Sequence, residues 1–163
     1  SCCAVERIYV HENVYPQFIE AISSEKDNLH PGNPMESTST HGPIARKVHR
    51  SFLEMQLKDA VHKGAKVLFQ KPVPHDGFFE PTVLTDVTHD MSVMKEETFG
   101  PLVGIQKVKS DEEALELLWN ILKANLGAQD GEVKKVFMDI LSALGQGNAL
   151  ASKYRRQLYS ILY

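Results

Sequence analysis

The sequence predicts an α/β layered domain followed by an all-helical tail. Three observations carry this. Short β-branched and aromatic runs alternate with amphipathic stretches over roughly the first two thirds of the chain. Those runs are apolar enough to form a sheet covered on both faces. From about residue 115 onward the apolar residues fall at helical spacing.

Each element has its own signal. Arg7-Ile8-Tyr9-Val10 is β-branched and aromatic and reads as a short strand. Asn13 is placed to cap a helix over 14–28, with Val14, Phe18 and Ala21 on one face. HPGNPMESTSTHGP, residues 30–43, is dense in Pro, Gly, Ser and Thr and predicts a long surface loop. A helix over 44–62 follows, with Ile44, Val48, Phe52 and Met55 at helical spacing, and Gly64 stops it. AKVLFQ, residues 65–70, predicts a buried strand. KPVPHDG is a turn, and a strand follows Pro81 in FFEPTVLTDV. Residues 88–101 mix polar and turn-forming residues before the strand LVGIQKV, residues 102–108. Ser110 with Glu113 is a capping box that opens a helix.

The tail carries three apolar stripes. The first is Leu115, Leu118, Trp119, Leu122 and Leu126. The second is Val133, Val136, Phe137, Ile140, Leu141 and Leu144. The third is Leu150, Tyr154, Leu158, Ile161 and Leu162. GAQDG and GQGN supply the breaks.

At 163 residues the chain fits one domain with a small appendage, and it is long enough to bury a core. Its net charge of −3 and pI near 6.1 argue against a nucleic-acid binder. No run approaches the length of a membrane span, and no charged-then-apolar leader occurs. The charge is uneven: residues 1–119 hold 12 Lys+Arg against 18 Asp+Glu, whereas residues 120–163 hold 6 against 3. That asymmetry suggests a different origin or partner for the last quarter. The only two cysteines, Cys2 and Cys3, are adjacent, which strains a bridge between them. A reducing, cytoplasmic setting is therefore expected. Ser1 reads as a processed end or a cut within something longer. The seven histidines show no metal spacing, so no metal is expected. KYRRQ, residues 153–157, reads as a solvated helix face.

Two segments carry more specific chemistry. The first is Cys2, Ala4, Arg7 and Val10, in the pattern C-x-A-x-x-R-x-x-V. The second is Glu96-Glu97-Thr98-Phe99-Gly100-Pro101. Together they resemble the nucleophile and second signatures of the aldehyde dehydrogenase family. GNP (32–34), GPIAR (42–46), VHKGAKVLFQ and FFEPTVL (78–84) follow the family's order between them. The resemblance covers residues 1 to about 117 and implies the carboxy half of a catalytic domain, with a mostly parallel sheet and flanking helices. Residues 118–163 resemble no recognised family.

The resemblance implies oxidation of a small aldehyde to an acid with NAD or NADP. Cys2 matches the nucleophile, which forms a thiohemiacetal and then a thioester. Its backbone N–H would help hold the oxyanion. Cys3 is a neighbour. Glu97 matches the acceptor for the nicotinamide ribose, and Phe99 the aromatic packed beside the nicotinamide ring. Gly100 and Pro101 shape the turn, and Arg7 is expected in a structural salt bridge. The family's cofactor domain, general base and oxyanion-hole Asn lie upstream of the nucleophile. The expectation is therefore a truncated piece, inactive alone, with weak or absent NAD binding. Two other readings stay open. One is a non-enzymatic interaction module that docks through exposed Trp119 and Phe137 stripes, to its own kind or a full-length homologue. The other is a thiol-only activity at Cys2 and Cys3.

Overall fold

The computed structural model describes residues 4–75, 77–127 and 131–162, apart from the side chain of Glu132. Cys2 and Cys3, and every expectation placed on them, lie outside the described residues. The chain divides into two compact units, one running to Lys107 and the other starting at Val108.

The first unit is built on a four-stranded sheet. Its strands are β1 (Arg7–His11), β2 (Lys66–Gln70), β3 (Thr82–Thr85) and β4 (Leu102–Val108), in the order β1-β4-β3-β2. The sheet is mixed. β3 runs parallel to β4, with Thr82 opposite Leu102, and antiparallel to β2, with Lys66 opposite Thr85. Successive strand residues face opposite sides, and both sides are covered. Val83 joins Val10, Phe69 and Ile105 in one apolar layer, against which Phe18, Ile19 and Ile22 pack. Those three belong to α1 (Tyr15–Ser24). The neighbouring residue Leu84 joins Leu53, Ala60, Met91, Val93, Met94 and Leu102 on the other side. Leu53 and Ala60 come from α2 (Lys47–His62).

Three elements differ from the sequence expectation. α1 begins at Tyr15, with Pro16 in its first turn, and Asn13 does not cap it. The Asn13 amide instead bonds His11 Nδ1 at 3.2 Å, and Val14 N bonds His11 O in a tight turn. The helix ends at Ser24 and tightens into a 3-10 turn over Glu25–Asn28. α2 begins at Lys47 rather than Ile44, because Arg46 is still extended, with φ −130° and ψ 119°, and stands as its N-cap. Its inner face is Leu53, Gln56 and Ala60, while Val48 and Met55 of the expected stripe are 68% and 50% exposed. β2 is an edge strand, so of its five residues only Phe69 is buried. Gly64 ends α2 as expected, with a φ of +104° that suits glycine.

The segment between β3 and β4 supplies core that its polar composition concealed. A 3-10 turn, Ser92–Met94, buries Val93 and Met94, and Met91 beside it is also buried. Asp59 of α2 fastens this turn by accepting the Ser92 amide at 2.7 Å.

The second unit is three helices: α3 (Asp111–Ala124), α4 (Glu132–Leu144) and α5 (Ala149–Leu162). Ser110 caps α3 as expected, its hydroxyl accepting Glu113 N at 3.1 Å, and the Glu113 carboxylate accepts Lys109 N at 2.6 Å. The stripes close on one another. Trp119 stacks on Phe137 with centroids 6.0 Å apart, and Tyr154 meets both rings edge-on. Arg155 of α5 donates to Leu141 O at 2.6 Å and Gly145 O at 3.4 Å, satisfying carbonyls at the end of α4.

Candidate active site

The two signature segments are far apart in sequence, and the fold ties them together. β1 emerges from the nucleophile segment, and residues 96–101 lead into β4 beside it. β4 places Gly104 N on Glu6 O at 3.1 Å. Side chains then reach across. The Glu6 carboxylate accepts the Thr98 amide at 3.0 Å and the Phe99 amide at 2.7 Å, one on each oxygen. The Arg7 guanidinium donates to the Glu96 carbonyl. His49 of α2 bonds the Thr98 carbonyl through Nε2 at 2.9 Å. Arg7 thus serves a backbone carbonyl where the sequence suggested an ion pair. Burial pushes its guanidinium down from the ordinary value, and the nearby Glu6 opposes that.

The loop so held has a defined shape. Thr98 points inward and is fully buried, while Glu97 and Phe99 on either side of it are exposed. Phe99 has φ +47°, a left-handed conformation that a bulky side chain adopts at a cost on the order of 1–3 kcal/mol. Gly100 follows it closely over α2: a Cβ there would stand 2.7 Å from two methyl carbons of the buried Leu53. The glycine of the motif is therefore a packing requirement.

Behind the loop, Tyr9 of β1 bonds His89 Nε2 at 2.9 Å, and the two rings are stacked. Burial pushes the Tyr9 hydroxyl up to about 12, with Arg7 opposing. Burial also holds His89 below its ordinary value, helped by the charges of Arg7 and Lys95.

A family model, aldehyde dehydrogenase family, matches residues 1–128. The chain belongs to that family. 3-Sulfolactaldehyde dehydrogenase of Pseudomonas putida is 38% identical over 119 residues, covering 72% of this chain and 24% of the relative. Succinate-semialdehyde dehydrogenase from Burkholderia pseudomallei has a similar solved structure, with a TM-score of 0.68 and 38% identity over 72% of this chain and 25% of that one. Betaine aldehyde dehydrogenase from Staphylococcus aureus, solved in complex with NAD+, has a TM-score of 0.63 and 30% identity over 69% of this chain and 24% of that one. The chain spans about a quarter of the length of the relatives it matches. A second family model, tetratricopeptide repeat, matches residues 105–163, which include the stretch 118–163 where the sequence alone suggested no family.

The relatives named are dehydrogenases of aldehydes, and one of them was solved with NAD+. Among the described residues no group of three or more His, Cys, Asp or Glu side chains could hold a metal ion. None of the described helices is long and apolar enough to cross a membrane. Glu6 and His49 were not singled out from the sequence. Glu6 fills an unspecified position of the first motif, and His49 is one of seven scattered histidines. Their partners lie 92, 93 and 49 residues away, so local pattern offers no signal.

Proposed function

We propose that this chain contributes the nucleophile and the nicotinamide contact of an aldehyde dehydrogenase active site. The observation that carries the reading is the clamped loop 96–101. It exposes the Glu97 carboxylate and the Phe99 ring together, on a segment bonded to the strand that follows Cys2. An exposed aromatic ring, 49% accessible, next to an exposed carboxylate fits the nicotinamide end of a dinucleotide. Glu97 would accept a hydrogen bond from the ribose hydroxyl, and Phe99 would pack beside the ring.

The Cys2 thiolate would attack the carbonyl carbon of a small aldehyde. A C–S bond forms, and the π electrons move to the oxygen, where the Cys2 backbone N–H stabilises the developing charge. When bound, NAD or NADP supplies the two-electron oxidant that takes the hydride from that carbon. Hydrolysis then breaks the C–S bond and returns the thiol. Cys2→Ser should abolish aldehyde- or ester-directed turnover, while Cys3→Ser should cost little. Equal loss from both, measured as acid formed from aldehyde, would overturn the assignment of Cys2.

A second reading concerns the tail beyond residue 117, as a docking module for another protein. The tetratricopeptide repeat match supports it. The Trp119 and Phe137 stripes are not the docking surface it needs, because Phe137 is fully buried within the three-helix unit.

A further inference from the structure

We infer that Glu6 is a positioning residue, which holds Phe99 in its left-handed conformation and so aims Phe99 and Glu97 outward. The motif leaves position 6 unspecified, yet the side chain there takes two of the loop's backbone amides. Its two oxygens take two consecutive amides, Thr98 N at 3.0 Å and Phe99 N at 2.7 Å. Consecutive N–H groups converge on one anion when the backbone turns through a left-handed residue, and Phe99 at φ +47° is that residue. A carboxylate is the acceptor best suited to such a concavity, because each bond is charge-assisted.

The other bonds to the loop cannot replace it. Arg7 and His49 act on the carbonyls of Glu96 and Thr98, and neither touches the Phe99 amide. The Gly100 contact with Leu53 fixes how closely the loop lies on α2, not the turn at Phe99. Glu6 itself is anchored, since its own carbonyl accepts Gly104 N in the sheet. The bidentate grip thus passes the rigidity of β1 and β4 to the exposed pair. Without it the amides of Thr98 and Phe99 lose their acceptors, and Phe99 is free to leave an unfavourable conformation.

The inference rests on Glu97 and Phe99 being the cofactor contact, and the test separates the two. The full chain, isotopically labelled, is compared with Glu6→Gln and Glu6→Asp by amide resonances, thermal unfolding and calorimetric titration with NAD. Glu6→Gln keeps the shape but loses the charge and one acceptor. The expected result is an upfield move of the Thr98 and Phe99 amide protons, with β3 and α2 resonances unchanged and a melting shift of only about 2–4 °C. Affinity for NAD should fall about tenfold. Glu6→Asp retains a carboxylate and should restore much of both signals. Unmoved Thr98 and Phe99 amides in Glu6→Gln would overturn the inference. Loss of dispersion throughout the sheet in both variants would also overturn it, making Glu6 a general stability residue. Where the amides move but affinity for NAD does not, the cofactor reading fails and the inference on Glu6 stands; where the unsubstituted chain binds NAD too weakly to titrate, the amide resonances decide on Glu6 by themselves.

Discussion

Residues up to Lys107 and residues from Val108 onward are held by bonds of different range. In the first unit, the loop at 96–101 keeps its shape through side chains 49 to 93 positions away. In the second, the helices are set by near neighbours: Ser110 and Glu113 at the start of α3, and Arg155 on a carbonyl 14 residues back. Its core joins the rings of Trp119, Phe137 and Tyr154 to buried aliphatic residues of the same three helices, among them Leu118, Leu122, Leu141 and Leu158. Local order is sufficient for a helical unit, because each helix packs against the next one in sequence. A site on a strand-connecting loop needs partners that only the folded sheet and its covering helix can bring.

The largest expected effect tests the helical unit. Phe137→Ala empties the centre of the cluster and should cost about 3–5 kcal/mol. Amide hydrogen exchange should show faster opening of α3, α4 and α5. Unchanged protection there would mean that the cluster is not what holds the helices together.

A smaller effect should come from the loop. Gly100→Ala places a methyl against Leu53, at a cost of about 1–3 kcal/mol. The damage should appear in the Phe99 amide resonance and in the methyl signals of Leu53, leaving the second unit's resonances in place. If the Phe99 amide does not move, the close approach of loop to α2 is not a constraint.

The smallest compares two helices that the same periodicity rule described. In α3 the stripe Leu115, Leu118 and Leu122 is buried, whereas in α2 Val48 and Met55 of the expected stripe are exposed and Phe52 is only half-buried. Val48→Ser on α2 should therefore change stability by no more than about 0.5 kcal/mol by urea unfolding. A loss of 2 kcal/mol or more, roughly that of a core truncation, would restore the sequence-based face.

The difference between α2 and α3 has a physical cause. α3 opens with three acidic residues and buries Ala114, Leu115, Leu118 and Leu122 along one stripe, which its spacing makes legible. α2 carries apolar residues on several faces, and the buried one includes the polar Gln56. Which face turned inward depended on Met91, Val93 and Met94, which the intervening chain delivers to the same core. Likewise the apolar run of β2 gave its strand but not its exposure, which follows from its place at the sheet edge.

The family, the four strand runs and the cap of α3 were legible in the order of residues alone, as was the second motif, on which Glu97 and Phe99 are candidates. Each is a local pattern or a short motif, and such signals survive without knowledge of what lies opposite. Tertiary structure decided the rest: the face of α2, the mixed direction of the sheet, the closure of the tail stripes on themselves, and the grip of Glu6 on the second motif. Those features are pairings between distant segments. A residue's own sequence neighbours carry no record of the partner it meets after folding.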